Sequence, residues 1–169
     1  MAAHIEFEQW VPFPPDRVFA FFSNPENLPR IMPAASGAVL LSINRAAPPA
    51  SAQMVNDKAA GTGSILVTSF RVVPLLPLRR EWIARITEFE WNHHFADVQQ
   101  KGPFKSWHHR HEFAASLKDG QMGTNIRDVI DYEIGFGVLG RLAGALFVRR
   151  QLECTFQERQ RKLPDLLRI

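Results

Sequence analysis

The chain has 169 residues, a formal net charge of +3 at pH 7 and only one cysteine, Cys154. A length of ~100 to 200 residues suits one core, so residues 1–169 are expected to form a single domain. The small net charge does not indicate a nucleic-acid surface, and one cysteine excludes an internal disulfide. No charged-then-apolar leader precedes the first strand-like run, so a cytoplasmic location is expected. The longest apolar run, 134–148, is interrupted by Arg141, so no transmembrane segment is predicted.

Aromatic residues dominate the apolar composition, with 13 Phe and 4 Trp against one Tyr. Such large and mostly non-polar rings suit either a dense core or a wide apolar pocket. Composition alone does not decide between these two.

The first third of the chain predicts one strand followed by two short helices. Residues 3–12 alternate apolar and charged side chains, which is typical of a strand. Pro14, Pro15 and Asp16 favour a helix start, and the following residues give that helix an apolar side. Asn24 is the expected cap of a second short helix over 26–30.

The middle of the chain predicts six strands, which from Gly63 onward form a meander of antiparallel hairpins. The expected strands are 38–44, 63–73, 79–90, 95–101, 104–117 and 123–134. Between the first two of these, residues 45–61 show no period and are expected to form a mobile loop. The proline-containing apolar segment 74–78 is expected to be a turn at the sheet edge or the rim of an apolar opening.

The last part predicts one long amphipathic helix over 138–163, closed by Pro164, because apolar residues recur there at three- and four-residue steps. The fold class is therefore α+β, with a curved antiparallel sheet wrapped around a long C-terminal helix. A pocket would form between the helix and the sheet.

Polar residues share the inward face of two predicted strands with aromatic residues. Alternation places Trp107, His109, His111 and Phe113 on one face, because His108, Arg110 and Glu112 form the polar one. The same count turns Asp128 and Tyr132 inward. Buried polar groups are costly without partners, so these residues either pair with one another across strands or line a cavity that receives a ligand.

The order of elements resembles the helix-grip fold of the START and Bet v 1-like superfamily, also called SRPBCC. The stretches that carry the resemblance are residues 10–19, 24–28, 95–99, 102–104, 107–113 and 123–132. They are similar to a bacterial ligand-binding or cyclase-like branch. The resemblance implies a hydrophobic cavity that binds lipids, sterols or polyketides, in a superfamily with few enzymes and no universal catalytic residues.

We therefore predict binding of a hydrophobic or amphipathic small molecule, with no cofactor and no catalytic residue. The expected ligand-binding residues are Trp82, Phe95, Asp97, Gln99, Trp107, His109, His111, Phe113, Asp128 and Tyr132.

Three alternatives remain. In a polyketide cyclase or dehydratase-like enzyme, His109 or His111 would be the general base and Asp128 its orienter. In a metal site, Asp97 or Asp128 would join the two histidines, but no metal is predicted because histidines in strands are more often structural. In a protein- or membrane-interaction module, the segment 74–78 and the basic C-terminal end would form the surface. The sequence does not indicate an oligomeric state.

Overall fold

Seven antiparallel strands form one curved sheet in the computed structural model, in the order β1-β7-β6-β5-β4-β3-β2. The structure describes residues 2–50, 56–71, 78–135 and 138–168, and the side chains of all of these except 138–145. The strands are β1 (Ala3–Val11), β2 (Val39–Asn44), β3 (Ile65–Arg71), β4 (Arg79–Glu90), β5 (His94–Lys101), β6 (Ser106–Lys118) and β7 (Gln121–Glu133). From β2 to β7 each strand pairs with the next, and β1 completes the sheet beside β7. The predicted meander is confirmed.

Two short helices follow β1, as the sequence predicts. The helical elements are α1 (Pro15–Ser23), a 3₁₀ turn (Pro25–Asn27), α2 (Leu28–Ile31), a second 3₁₀ turn (Ala34–Ser36) and the C-terminal α3 (Val138–Leu166). The backbone N–H of Glu26 donates to Asn24 Oδ1 at 3.1 Å. Asn24 therefore caps the first 3₁₀ turn, which leads directly into α2.

The prediction that Pro164 ends the long helix is wrong, because α3 continues to Leu166. A proline lacks the N–H that would donate to the carbonyl four residues earlier, which here belongs to Gln160. In the structure Gln9 Nε2 donates to that carbonyl at 2.7 Å. A side chain from β1 thus replaces the missing backbone donor and joins α3 to the sheet.

The two faces of the sheet differ as the alternation predicts. On β6 the side chains of Trp107, His109, His111 and Phe113 are buried. On β7 the buried set is Thr124, Ile126, Asp128, Ile130 and Tyr132. Strict alternation over both strands shows that neither contains a bulge that would turn these residues to the other face.

The outer face carries a ladder of ion pairs across strands. Arg127 contacts Glu6 at 2.7 Å and Glu112 at 3.1 Å, and Arg110 contacts Glu112 at 3.0 Å as well as Glu88. These groups are half-exposed, so each pair contributes little to stability, ~0 to 1 kcal/mol. The ladder keeps this face polar and leaves the apolar surface on the inner face.

One end of the inner face is packed solid by α1. The ring of Phe19 makes edge contacts with Phe89, Trp91, Phe95 and Phe113 at centroid distances of 5.0 to 5.9 Å. Edge-to-face rings at this spacing are favourable, and Phe19 is fully buried. The dense-core interpretation of the aromatic composition is therefore correct for this end of the sheet.

Farther along the inner face, α3 covers the sheet. Phe156 stacks on Phe7 of β1 at 4.2 Å, while Leu163, nearer the end of α3, belongs to the same buried cluster as Phe19. Between α3, the short helices and strands β3 to β6, the structure leaves a cavity. The aromatic residues thus build both a solid core and a pocket.

Two predicted irregular segments are only partly described. Residues 51–55 of the expected mobile loop lie outside the described residues, while at its ends the N–H of Ala60 donates to Ser23 O at 2.9 Å and that of Gly61 to Ala46 O at 3.0 Å. Those ends are fixed to the body of the protein. The expected apolar turn 74–78 lies outside the described residues except for Leu78, which is exposed. In the part of the chain that the structure describes, no helix is long and apolar enough to cross a membrane.

Candidate functional site

The cavity between sheet and helix has a volume of about 530 Å³ and mostly apolar walls. The sheet contributes one wall, the short helices α1 and α2 a second, and one face of α3 a third. Ligand pockets in proteins are usually ~300 to 1,000 Å³, so this one is large enough for a small organic molecule.

Aromatic rings form a continuous lining on one side of the cavity. Trp82 meets Trp107 edge-on at 5.0 Å, and Phe104 lies 4.9 Å from Trp107. Phe104 belongs to the turn between β5 and β6, where Gln99 Nε2 donates to its carbonyl at 2.8 Å and its N–H donates to Gln99 Oε1 at 3.3 Å. Gln99 therefore positions an aromatic residue of the wall.

A buried polar cluster forms the sheet side of the cavity. Strand register places Asp128 opposite His111 and Asp97 opposite His109. Asp128 Oδ1 lies 3.0 Å from His109 Nε2, in a hydrogen bond, and 2.6 Å from His111 Nδ1, at an angle that does not satisfy hydrogen-bond geometry. On the other side of the ring, His109 Nδ1 lies 3.9 Å from Asp97 Oδ1. One carboxylate therefore holds both imidazoles, and a second lies near His109.

Burial determines the protonation of this cluster. Desolvation, followed by the neighbouring His111, lowers the pKa of His109 to about 4, and burial also lowers the pKa of His111. Burial acts to raise the pKa of Asp128, but its contacts with His111 and His109 outweigh this and hold that pKa below its usual range. Burial raises the pKa of Asp97. At neutral pH, Asp128 is therefore a carboxylate beside a neutral His109.

Arg159 of α3 brings a positive charge to the same cavity. Its side chain lines the cavity, the residue is only 8% exposed, and its guanidinium lies 4.5 Å from the Phe156 ring centre. Burial lowers the pKa of Arg159, while Asp128 and Asp97 act through space in the opposite direction. Arginine nevertheless remains charged in proteins.

Of the ten residues predicted to bind a ligand, the structure brings six to the cavity wall. They are Trp82, Phe95, Asp97, Trp107, His109 and His111.

The other four predicted site residues do not line the cavity. Gln99 holds the β5–β6 turn, and Phe113 packs against Phe19 in the solid core. Asp128 lies behind the imidazoles that it contacts, and Tyr132 packs against Trp107 at 6.2 Å. Phe113, Asp128 and Tyr132 are buried on the inner face as expected, but inward residues near α1 or behind other side chains meet protein instead of the cavity.

Sequence reasoning missed the wall that the helices supply. The clearest omissions from the helices are Phe21, Phe22, Leu152, Phe156 and Arg159, and Phe104 of the β5–β6 turn was also missed. A signal was present in α3, where positions 152, 156, 159 and 163 follow helical spacing and so share one face. Among these four positions, Arg159 is the only charged residue.

The cluster is chemically able to hold a metal or to move a proton. Asp97, His109 and His111 each offer one ligand atom, and these atoms lie within 4.8 Å of one another. Imidazole and carboxylate are suitable zinc ligands. Alternatively, a neutral His109 oriented by Asp128 has the arrangement of a general base and its orienting group.

Comparison with known proteins agrees with the fold. Residues 11–156 match the family described as polyketide cyclase / dehydrase and lipid transport. No curated protein sequence matches the chain significantly.

Several solved structures share the architecture over nearly the whole chain. Protein TTHA0849 from Thermus thermophilus is 15% identical, with a TM-score of 0.65 over 98% of this chain and 97% of that one. A START superfamily protein from Mycobacterium smegmatis is 13% identical, with a TM-score of 0.62 over 98% and 97%. A Thalictrum norcoclaurine synthase point mutant, in complex with a transition-state analogue, is 14% identical, with a TM-score of 0.63 over 99% and 94%.

At these identities the structural likenesses show the fold alone, which is the expected helix-grip fold. The family match covers most of the sequence, including every strand from β2 to β7 and most of α3. The chain therefore belongs to the polyketide cyclase / dehydrase and lipid transport family, within the START and Bet v 1-like superfamily.

Proposed function

We propose that this protein binds a hydrophobic or amphipathic small molecule of the lipid, sterol or polyketide class in the cavity between the sheet and α3. The observation that carries the proposal is a cavity of about 530 Å³ with aromatic walls and a few convergent polar groups. Small-molecule sites are usually built in this way. The description of the family, which includes lipid transport, supports the same class of ligand.

The walls supply a favourable free energy for an apolar guest. Burial of apolar surface contributes ~25 cal/mol per Å², and a guest in contact with Trp82, Trp107 and Phe104 would bury area on several sides. Part of this gain offsets the loss of translational and rotational freedom on binding. Micromolar affinity is therefore expected even without an exact polar match, and the polar cluster would set the orientation of the guest.

Binding is tested by titration with Nile red, a neutral dye that fluoresces in apolar surroundings. Ala84 is buried on β4 and lines the cavity, so Ala84→Phe would occupy space that a guest needs. Ala115 is exposed on β6, which makes Ala115→Phe the matched control. We expect saturable binding to wild type and Ala115→Phe and at least tenfold weaker binding to Ala84→Phe, corresponding to about 1.4 kcal/mol. Equal binding to all three proteins would place the dye outside the cavity.

A second candidate function is a cyclase or dehydratase-like reaction. It is favoured by one observation, the hydrogen bond between His109 and Asp128 at the cavity wall, with Nδ1 of His109 on the side of Asp97. A neutral imidazole with this orientation could take a proton from carbon next to a carbonyl. Turnover of a poly-β-ketone substrate that is lost in His109→Ala would favour the enzyme over the binding protein.

We propose no resident metal and no cofactor. Asp128 already contacts a nitrogen of both imidazoles, and the charge of Arg159 acts on the same group of residues. A cation placed among Asp97, His109 and His111 would be repelled by that charge. We also propose a cytoplasmic location, which is compatible with the lone Cys154.

A further inference from the structure

Arg159 is a buried charge on the face of α3 that lines the cavity. It lies between Phe156, which is 3% exposed, and Leu163, which is 1% exposed, and it lines the cavity. Burial of a cation is costly unless the charge is paired and its donors are hydrogen-bonded. A leucine or methionine at this position would complete the apolar face without that cost.

Among the residues that the structure describes, this guanidinium contacts the face of the Phe156 ring, at 4.5 Å from its centre, but no acidic group. Among the described residues, no carboxylate lies within 4.0 Å of it, and no residue accepts a hydrogen bond from it. The carboxylates that influence it, Asp128 and Asp97, act only through space. Asp128 is already engaged by His109 and His111. The described residues therefore leave the N–H donors of Arg159 available to the contents of the cavity.

We propose that Arg159 binds a carboxylate group of the ligand, so that the cavity selects amphipathic carboxylic acids over their neutral counterparts. This inference rests on the proposed function, because it concerns the polar end of the same guest. The planar guanidinium presents donors in a fork that matches the two oxygens of a carboxylate. The apolar part of the guest would then lie along the aromatic wall.

The other groups around the cavity are compatible with an anionic guest. Asp128 does not line the cavity, and its charge lies behind the two imidazoles. Asp97 does line it, but burial raises the pKa of this group and so disfavours its negative form. His109 and His111 lack a full charge at neutral pH because burial lowers their pKa values. None of these four groups therefore neutralises the charge of Arg159 by direct contact.

A second cation, Arg71, also lines the cavity but has a different position. It lies on β3 near the edge of the sheet, close to Gly37, and it is only half-buried. Its charge is accessible to water and needs no guest. Replacement of Arg71 therefore separates a specific role of Arg159 from a general effect of positive charge.

The test measures displacement of Nile red by two acid and ester pairs, lauric acid with methyl laurate and 2-naphthoic acid with methyl 2-naphthoate. Each pair differs only in the charged group, and the two pairs distinguish an aliphatic from an aromatic carrier. The proteins are wild type, Arg159→Gln, Arg159→Lys, Arg71→Gln and Arg161→Gln. Arg161 is exposed on the same helix and serves as the matched control.

In at least one pair, we expect wild type to bind the acid about tenfold or more tightly than the ester, as one charge-assisted hydrogen bond would give. Arg159→Gln should lose this preference while it binds the ester normally, which also shows that the variant is folded. Arg159→Lys should keep part of the preference, and the exposed control Arg161→Gln should keep all of it. Arg71→Gln can change the affinity for acid and ester alike, because Arg71 lines the cavity, but it should keep the preference for the acid.

Two results would overturn the inference while leaving the proposed function intact. One is equal binding of acid and ester by wild type in both pairs. The other is loss of the preference in Arg71→Gln instead of Arg159→Gln. If wild type binds neither Nile red nor any of the four compounds, the proposed function itself fails, and the inference fails with it.

Discussion

His109, His111 and Asp128 show at the scale of single residues what alternation can and cannot predict. Alternation along a strand is a local property, so the inward direction of all three follows from the sequence. Their pairing depends on the register between β6 and β7, which places Asp128 opposite His111 and beside His109. Whether a residue then lines the cavity depends on what else packs there. This is why Asp128 lies behind the wall that His109 and His111 help to form.

Arg159 was missed for a different reason. Together with Arg161 and Lys162 it lies near the end of α3, where cations commonly complement the helix dipole. Such residues are normally exposed, and Arg161 is. Only the helical spacing of Arg159 from Phe156 and Leu163 distinguishes it from its neighbours.

The pKa of His109 predicts how stability depends on pH. This pKa is about 4 in the folded protein and about 6.5 in an unfolded chain. Between these values the unfolded chain binds the extra proton, so the free energy of unfolding rises with pH through this window and falls on acidification. Across this window, protonation of His109 changes the free energy of unfolding by roughly 3 kcal/mol. The lowered pKa of His111 acts in the same direction, and the raised pKa of Asp97 opposes it.

We therefore expect His109→Gln to lose less stability than wild type between pH 7 and pH 4.5, by about 2 kcal/mol. The measurement is urea denaturation at both pH values. His4→Gln is the control: its contacts with Asp131 and Glu6 raise the pKa of exposed His4, so its contribution is present at low pH and lost as pH rises. An identical pH dependence in His109→Gln and wild type would contradict a neutral, buried His109.

Local sequence signals predicted the order and type of the elements well. The Asp119-Gly120 turn between β6 and β7 has positive φ angles of 51° and 77°, the conformation that an Asp-Gly pair favours in tight hairpins. Asn24 is a cap as expected, although it caps the 3₁₀ turn that precedes α2 instead of α2 itself. The end of α3 was not predictable from such signals, because the group that compensates Pro164 comes from Gln9, more than 150 residues earlier in the chain.

This compensation predicts an energetic coupling between Gln9 and Pro164. In wild type, Gln9→Ala removes the donor to the Gln160 carbonyl, and we expect a loss of about 1 kcal/mol in the free energy of unfolding. In a Pro164→Ala background the backbone N–H of residue 164 can donate to that carbonyl, so the same change should cost less.

A double-mutant cycle followed by thermal or urea unfolding measures this coupling. Gln157 is exposed on α3, so Gln157→Ala is the control and should be nearly neutral in both backgrounds. Additive effects of Gln9→Ala and Pro164→Ala would show that Gln9 does not compensate for the proline.

At the scale of the whole molecule, the aromatic residues divide between a solid end and a hollow one. The sequence showed an unusual number of rings but not their division, because this depends on where α1 meets the sheet. Phe19 and Leu163 fill the inner face at one end, while farther along the sheet α3 contacts β1 through Phe156. The remaining space, about 530 Å³, therefore follows from the relative positions of α1, α3 and the sheet.

The central claim is that this space accepts an apolar or amphipathic guest. Native mass spectrometry of the purified protein, incubated with the two acid and ester pairs, counts bound molecules directly. We predict a complex of one guest per chain for wild type and for Ala115→Phe, and little or none for Ala84→Phe at equal concentrations. Absence of any complex with wild type, or equal complex formation by Ala84→Phe, would contradict the claim.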